Sequence, residues 1–390
     1  MTDVATPSGV EQVVAQRYSA GAQEVQPALC CPVDYDPALL EVIPAEVLER
    51  DYGCGDPSRH LAAGETVLDL GCGGGKICFI ASQIVGPTGR VLGVDVNNDM
   101  LTLARSAAPV VARRVGYGNV EFRKARIQDL ALDLEALSGW LATHPVTDVD
   151  SLPGLEAEQQ RLRTEQPLVP ENSVDVVVSN CVLNLVAHEH KQRLFAKIFR
   201  VLRRGGRAVI SDIVSAVPVP EHLRADPELW SGCISGAFQE EAFLAAFEQA
   251  GFYGIQMIKR DATPWRVVEG VEFRAVTVVA YKGKQGECRD HGQAVIYPGP
   301  FKAVLDDDEH MFLRGVPTAV CAKSFAIYAR EPYAGHFELL EPAEPVDPVT
   351  APLFDCAPPA TLTAPGPAPA VRREISGLIS PGCQPASGCC

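Results

Sequence analysis

The chain has no run of about 18 uncharged apolar residues, the length a helix needs to cross a bilayer, so no membrane-spanning helix is expected. Its opening residues, MTDVATPSGVEQVVAQRY, lack the positive start and apolar centre of a secretory leader, and the expected compartment is the cytoplasm. Basic runs are missing too: the longest is LRRGGR at 202–207. With 34 Lys and Arg against 49 Asp and Glu, a net charge of −15, no nucleic-acid partner is expected, because phosphate neutralisation needs clustered cations. The usual metal signatures are equally scarce. No CxxC…CxxC spacing occurs. The DDDEH segment at 306–310 lacks the spaced ligands and glycine of an EF-hand loop and reads as a hairpin turn. His188 and His190, two apart, cannot share a helix face and read as surface residues at a helix start. The terminal SGCC places no cysteine four from the end, which excludes C-a-a-X lipidation. There is no internal repeat.

What is present is a core and a great deal of sulfur. A chain of 390 residues, 47% of them hydrophobic, can build one large domain and a smaller one. Thirteen cysteines in a reducing cytosol are not expected to form a disulfide framework. Cysteine is also a small hydrophobe that packs well. On that ground Cys72, Cys78, Cys288 and Cys321 read as packing residues, and Cys356, Cys383, Cys389 and Cys390 as cysteines of a flexible tail whose terminal pair is either reactive or inert.

Residues 1–60 read as a helical segment with breaks. From Glu65 strands alternate with helices, which implies a parallel sheet. ETVLDL runs into a glycine turn and the helix KICFIASQIV; RVLGVDV is followed by a long helix capped by Asn97 or Asn98; NVEFRKA is a third strand. The acidic stretch 133–172, carrying Pro145, Pro153, Pro167 and Pro170, reads as an insertion with two short helices. The rhythm resumes with VDVVVSN, a helix over 189–202, the strand RAVISDIV and a helix over 239–250. GIQMIKRDA and EFRAVTVVAYK close the domain as an antiparallel pair. The expected organisation is an N-terminal segment 1–60, a cofactor-binding domain 61–285, a small mainly β domain 286–342 and a Pro- and Ala-rich tail 343–390 that should be disordered.

The turn VLDLGCGGG sets Asp69, Gly71, Cys72 and Gly73 directly after a strand, and its glycines let a ligand approach the backbone closely. Nicotinamide sites use G-x-G-x-x-G here. This G-x-G-x-G, with an acid two residues ahead, is closer to S-adenosylmethionine sites, where a carboxylate near a sulfonium and an amino group is favourable. The expected fold is therefore the Rossmann-like α/β sheet of class I S-adenosylmethionine-dependent methyltransferases, with helices on both faces. Asp95, ending the second strand, is placed to accept from ribose hydroxyls, with Val96 and Met100 beyond it. Ile127 and Gln128 or Asp129 sit where an adenine ring would be flanked. Cys181 stands at the end of the strand VDVVVSN, the edge of an open α/β sheet where ligands bind. It is either a buried small residue or a thiol that holds something.

Several separated motifs together resemble the arsenite S-adenosylmethionine methyltransferases: ALCCPVDYD, RDYGCGDPS, VLDLGCGGG, GYGNVEFRKARIQDL, SNCVLNLV and DPELWSGCISGAF. The resemblance spans about Tyr18 to Pro342, and details such as GGGKICFIASQ are similar to the bacterial branch associated with arsenosugar biosynthesis. It implies that Cys181 and Cys233 bind trivalent arsenic, a soft centre that prefers thiolates. It implies that Cys54 and one of the pair Cys30 and Cys31, with Cys30 favoured, serve the first methylation and a disulfide-based redox turnover. It also implies that Asn180 helps fix the cofactor or a loop, and that a thiol reductant, glutathione or thioredoxin, is a co-substrate. The partners expected are arsenite or its thiol adducts and the reductant system, on a monomer. Two other readings compete. A carbon or oxygen methyltransferase of the same fold would not need the thiols. A protein that only sequesters arsenite would not need the glycine loop.

Overall fold

The computed structural model describes residues 7–26 and 33–356. Cys30, Cys31, Cys383, Cys389 and Cys390 lie outside the described residues. The chain divides into two compact units, Met1–Gln285 and Gly286–Cys390.

In the first unit the strands are β1 Thr66–Leu70, β2 Arg90–Asp95, β3 Val120–Lys124, β4 Val174–Asn180, β5 Leu202–Ser215, β6 Phe238–Gln239, β7 Tyr253–Arg260, β8 Arg266–Val268 and β9 Val271–Tyr281. The helices are α1 Pro7–Gln23, α2 Pro37–Leu40, α3 Ala45–Glu49, α4 Lys76–Val85, α5 Asn98–Val115, α6 Leu134–Thr143, α7 Leu152–Glu165, α8 His188–Val201, α9 Glu221–Arg224, α10 Pro227–Ser231 and α11 Glu240–Gln249. The strands form one sheet in the order β3-β2-β1-β4-β5-β9-β7, with β6 beside β5 and β8 beside β9. β1 to β5 run parallel, and β9 is antiparallel to both β5 and β7. This is an open, Rossmann-like α/β sheet, parallel where the strand–helix alternation implies it.

The two-residue period of the strands explains why helices cover both faces. Val67, Val176, Val178 and Val209 pack with Ile77, Phe79, Leu101 and Ala104 of α4 and α5. Their neighbours Leu68, Leu70, Val177 and Ile210 pack with Leu194, Phe195 and Ile198 of α8 and Phe243 and Phe247 of α11. The side chain of Asn97 caps α5, accepting from Asp99 N at 2.9 Å and Met100 N at 3.1 Å. The segment 133–172 holds α6 and α7, packed through Leu132, Leu137 and Leu162. The helices of the N-terminal segment belong to the same compact unit as the sheet.

The second unit contains β10 Ala294–Ile296, β11 Ala303–Leu305, β12 Met311–Leu313, β13 Pro317–Ala319, α12 Ala322–Tyr328 and β14 Glu338–Leu340. β10 is flanked by β13 and β14, and β11 and β12 form a hairpin around 306–310. The expected disordered tail from 343 is corrected in its first part: residues 343–356 are folded onto this unit. Arg289 bridges Leu353, Asp290 N donates to Pro352 O at 2.9 Å and Phe354 N to Cys288 O at 2.8 Å. Composition misses this because the attachment is main-chain pairing, which a Pro- and Ala-rich stretch can still make wherever it keeps an N–H. Among the described residues no helix is long and apolar enough to cross a membrane.

Candidate active site

A cavity of about 510 Å3 opens at the carboxyl ends of the parallel strands, the expected ligand edge of such a sheet. Asp69, Gly71, Cys72 and Gly73 from the turn after β1, Asp95, Val96 and Met100 from the end of β2 and the start of α5, Ile127 and Gln128 after β3, and Asn180 and Cys181 at the end of β4 all line it. The turn depends on its glycines. Gly71 has φ +64°, and a Cβ there would lie 2.4 Å from Val182 Cγ1. Gly73 has φ +50°, and its nearest neighbour would be Met100 Sδ at 3.9 Å, so the backbone there is open to the cavity. Asp95 Oδ2 accepts from Gly73 N at 2.9 Å and its Oδ1 from Asn97 N at 2.8 Å, tying the end of β2 to the turn.

Asp69 is buried, and burial pushes its carboxyl up to about 7, against the bond from Cys78 Sγ to its Oδ2 at 3.2 Å. Cys78 therefore has a polar partner beyond packing. Burial also raises Asp95 and pushes Cys72 up to about 11.

The structure brings Cys54, Cys181 and Cys233 into one buried cluster with Ile213, Ile234 and Phe273. The electrostatics of Cys181 are coupled to both of the other thiols. Cys233 Sγ also donates to Cys181 O at 3.3 Å. The bond with Cys233 works to lower the Cys181 pKa, but the bond with Cys54 and burial outweigh it, and the thiol sits well above its ordinary value. Cys233 is raised by its bond to Cys181 and by burial.

Two local features hold this arrangement. Cys181 and Cys233 have φ +66° and +63°, the left-handed region that non-glycine residues rarely adopt. Such backbone costs about 1–3 kcal/mol per residue and tends to persist at functional sites. Beneath the cysteine loop, Asn180 Oδ1 accepts from Cys54 N at 2.9 Å and Gly55 N at 3.0 Å, and its Nδ2 donates to Gly55 O at 2.8 Å. A Cβ on Gly53 would lie 2.1 Å from Asn180 Nδ2, so the loop sits flat on the amide. Of the two roles open to Asn180, fixing the loop is the one its hydrogen bonds make.

Three residues of this site were not singled out from sequence. Tyr18 of α1 lines the cavity with its hydroxyl 4.0 Å from Cys233 Sγ, and burial raises it well above its usual value. Its helix contributes Glu11, Ala15 and Tyr18 to the cavity wall and is fastened by Asn97 Nδ2 to Ala15 O at 3.0 Å and by Arg126 to Glu11 at 3.1 Å. Asp212, at 1% exposure, accepts from Leu183 N at 2.9 Å and Ile213 N at 2.8 Å, and burial pushes it to about 6. Its charge raises both Cys181 and Cys233. Lys191, also buried, falls to about 7 through desolvation and donates to Gly236 O. An acid inside VISDIV, a strand buried on both faces, was the available signal for Asp212; Tyr18 and Lys191 gave none.

The family model described as a methyltransferase domain matches residues 61–138 and 149–251, its break falling in the insertion. Residues 284–368 match a domain of unknown function. The chain is 30% identical over 335 residues to an arsenite methyltransferase of Aquipseudomonas alcaligenes, covering 82% of this chain and 86% of that protein. It is 38% identical over 219 residues to an arsenite methyltransferase of Halobacterium salinarum, covering 56% of this chain and 45% of that protein. Among solved structures it is similar to an arsenic(III) S-adenosylmethionine methyltransferase from Chlamydomonas reinhardtii, with 26% identity, a TM-score of 0.54, and coverage of 85% of this chain and 100% of that one.

Proposed function

The chain belongs to the arsenite methyltransferase family, and from that premise we propose that it methylates trivalent arsenic held by Cys54, Cys181 and Cys233 beside the glycine-turn cavity. The observation that carries the assignment of residues is Cys181, which lies on the cavity wall and shares one buried cluster with Cys54 and Cys233. The cavity fits S-adenosylmethionine: an open Gly73 backbone meets the ligand's approach, and Asp69 and Asp95 provide acceptors for its cationic and hydroxyl groups. When bound, S-adenosylmethionine supplies a methyl group on a sulfonium.

The protein's own part follows from the thiols. Arsenite at neutral pH is the uncharged As(OH)3, and each As–S bond forms as one thiol proton and one hydroxide leave as water. Cys181 and Cys233, raised by neighbouring thiols and by burial, can therefore bind it as thiols with no net loss of protons. The bound arsenic keeps its lone pair, so no general base is required for methyl transfer. Holding the arsenic next to the cavity replaces an encounter in solution and removes entropy from the barrier. Tyr18 and α1 close the cavity wall near the thiols and limit water there. Methyl transfer raises arsenic to the pentavalent state. Return to trivalent arsenic takes two electrons, which two thiolates supply by forming a disulfide.

We assign that disulfide to Cys54 with Cys30 or Cys31. Tyr35, four residues beyond Cys31, donates from its hydroxyl to Gly55 O at 3.0 Å, so the N-terminal segment is already tied to the Cys54 loop. A dithiol such as thioredoxin, or glutathione, then restores the thiols.

The reading is tested with reduced protein, S-adenosylmethionine, arsenite and a thiol reductant. S-adenosylhomocysteine and methylated arsenic should form together. Tight arsenite binding without cofactor consumption would leave only a sequestering protein.

Asp69 gives a pH prediction. A cationic ligand binds its ionised form, and burial holds the carboxyl at about 7. S-adenosylmethionine affinity should therefore be full above pH 8 and fall by up to about tenfold per unit below 7. Asp69→Asn should bind weakly with a flat profile. Calorimetry between about pH 5.5 and 8.5 reads this; a flat wild-type curve would remove Asp69 from cofactor binding.

A further inference from the structure

The second unit carries a sulfur cluster of its own. The Sγ atoms of Cys288, Cys321 and Cys356 all lie within 4.8 Å of one another. All three are free thiols, Cys321 at 1% exposure and the other two half-buried. Three sulfurs bound at about 2.3 Å to one pyramidal centre lie about 3.4–3.5 Å apart, so from the 4.8 Å limit the cluster closes by at most about 1.4 Å on binding. No His, Asp or Glu among the described residues joins the three within that distance.

The cluster is held by hydrogen bonds among three separate segments. Phe354 N donates to Cys288 O at 2.8 Å, Ala322 N to Arg289 O at 2.9 Å, and Arg289 Nη1 to Ala351 O at 2.8 Å. The C-terminal strap is held a second time by His310, whose Nε2 lies 3.3 Å from Cys356 O. Cys321 is the N-cap of α12, its sulfur accepting from Ser324 N at 3.4 Å. Burial pushes the Cys288 thiol up, but its bonds with Cys356, Lys323 and Cys321 outweigh this and leave it below its ordinary value. Burial and the bond with Cys288 push Cys356 up.

We propose that Cys288, Cys321 and Cys356 form a second, non-catalytic arsenite site in the second unit, binding trivalent arsenic through three sulfurs. Three thiols without a fourth ligand match a three-coordinate soft centre better than zinc, which takes four. The binding is As(OH)3 plus three thiols giving As(SR)3 and three waters, with no change in oxidation state. The choice of arsenic as occupant rests on the methyltransferase reading; the presence of a three-thiol site does not.

The experiment uses the full chain, reduced, with arsenite as probe, and counts bound arsenic by mass spectrometry after desalting. Cys288→Ser with Cys356→Ser should bind one equivalent fewer than wild type and still methylate arsenic. A second variant keeps this cluster and replaces Cys30, Cys31, Cys54, Cys181, Cys233, Cys383, Cys389 and Cys390 by serine. It should bind one equivalent with three sulfur neighbours in arsenic X-ray absorption, and produce no methylated arsenic. Equal stoichiometry in wild type and the Cys288/Cys356 variant, with wild type active, overturns the second site and leaves the enzyme reading intact. Arsenic bound by the cluster in a wild type that never consumes S-adenosylmethionine does the reverse. Zinc found on the three cysteines that excess arsenite does not displace assigns the cluster to zinc and overturns the arsenic assignment.

Discussion

Cys181→Ser should lower arsenic methylation by about 1,000-fold or more while S-adenosylmethionine binds within about twofold of wild type, a loss near 4 kcal/mol of transition-state stabilisation. Serine keeps the size and the left-handed backbone, so the change is one of chemistry. A hard oxygen replaces the soft sulfur that the arsenic centre prefers, at the one of the three thiols that lines the cavity. Cys233→Ser should behave alike, since its sulfur reaches Cys181 O at 3.3 Å. The check is single-turnover formation of methylated arsenic alongside cofactor calorimetry and a melting curve. A Cys181→Ser protein within tenfold of wild type would mean that arsenic is held elsewhere. A large drop in melting temperature would show that the loss came from folding.

Asp95→Ala should give the opposite profile. The dissociation constant for S-adenosylmethionine should rise about 100-fold, near 2.7 kcal/mol, with arsenite stoichiometry unchanged. The carboxylate holds Gly73 N and Asn97 N in place and has lone pairs left for ribose hydroxyls. Hydrogen bonds to charged groups are worth about 1.5–3 kcal/mol each. Asp95→Asn, which keeps an acceptor oxygen but loses the charge, should weaken binding by about tenfold. A change under about threefold in Asp95→Ala would displace the ribose from the end of β2. Together the two substitutions separate the cofactor half of the site from the arsenic half.

The residues proposed to hold the cofactor come together in the structure as the sequence suggested because they are local. Asp69 to Gly73 is one turn, Asp95 ends the next strand, and the Asn97 cap follows two residues later. Alternation of strand and helix supplied the sheet. The arsenic half was not legible as geometry. Cys54, Cys181 and Cys233 are brought together only by the strand order and by the loop that Asn180 holds down, and neither can be read from spacing. The resemblance named the cysteines; it could not reveal that Cys181 is the one of the three on the cavity wall. Tyr18 reaches the site from a helix that is far away in the chain and carries no motif. The cluster of Cys288, Cys321 and Cys356 escaped for two reasons. Its cysteines follow no metal spacing, and the strap that delivers Cys356 has the composition of a tail, although its backbone pairs with 288–290.

The positive φ angles at Cys181 and Cys233 set backbone and packing against each other. A glycine would suit the backbone better at both positions. It would also remove a buried side chain from the cluster around Ile213, Ile234 and Phe273 and leave a cavity there. Relief of the torsion and loss of packing therefore oppose one another, and a melting curve of Cys181→Gly reads their difference separately from the loss of the thiol.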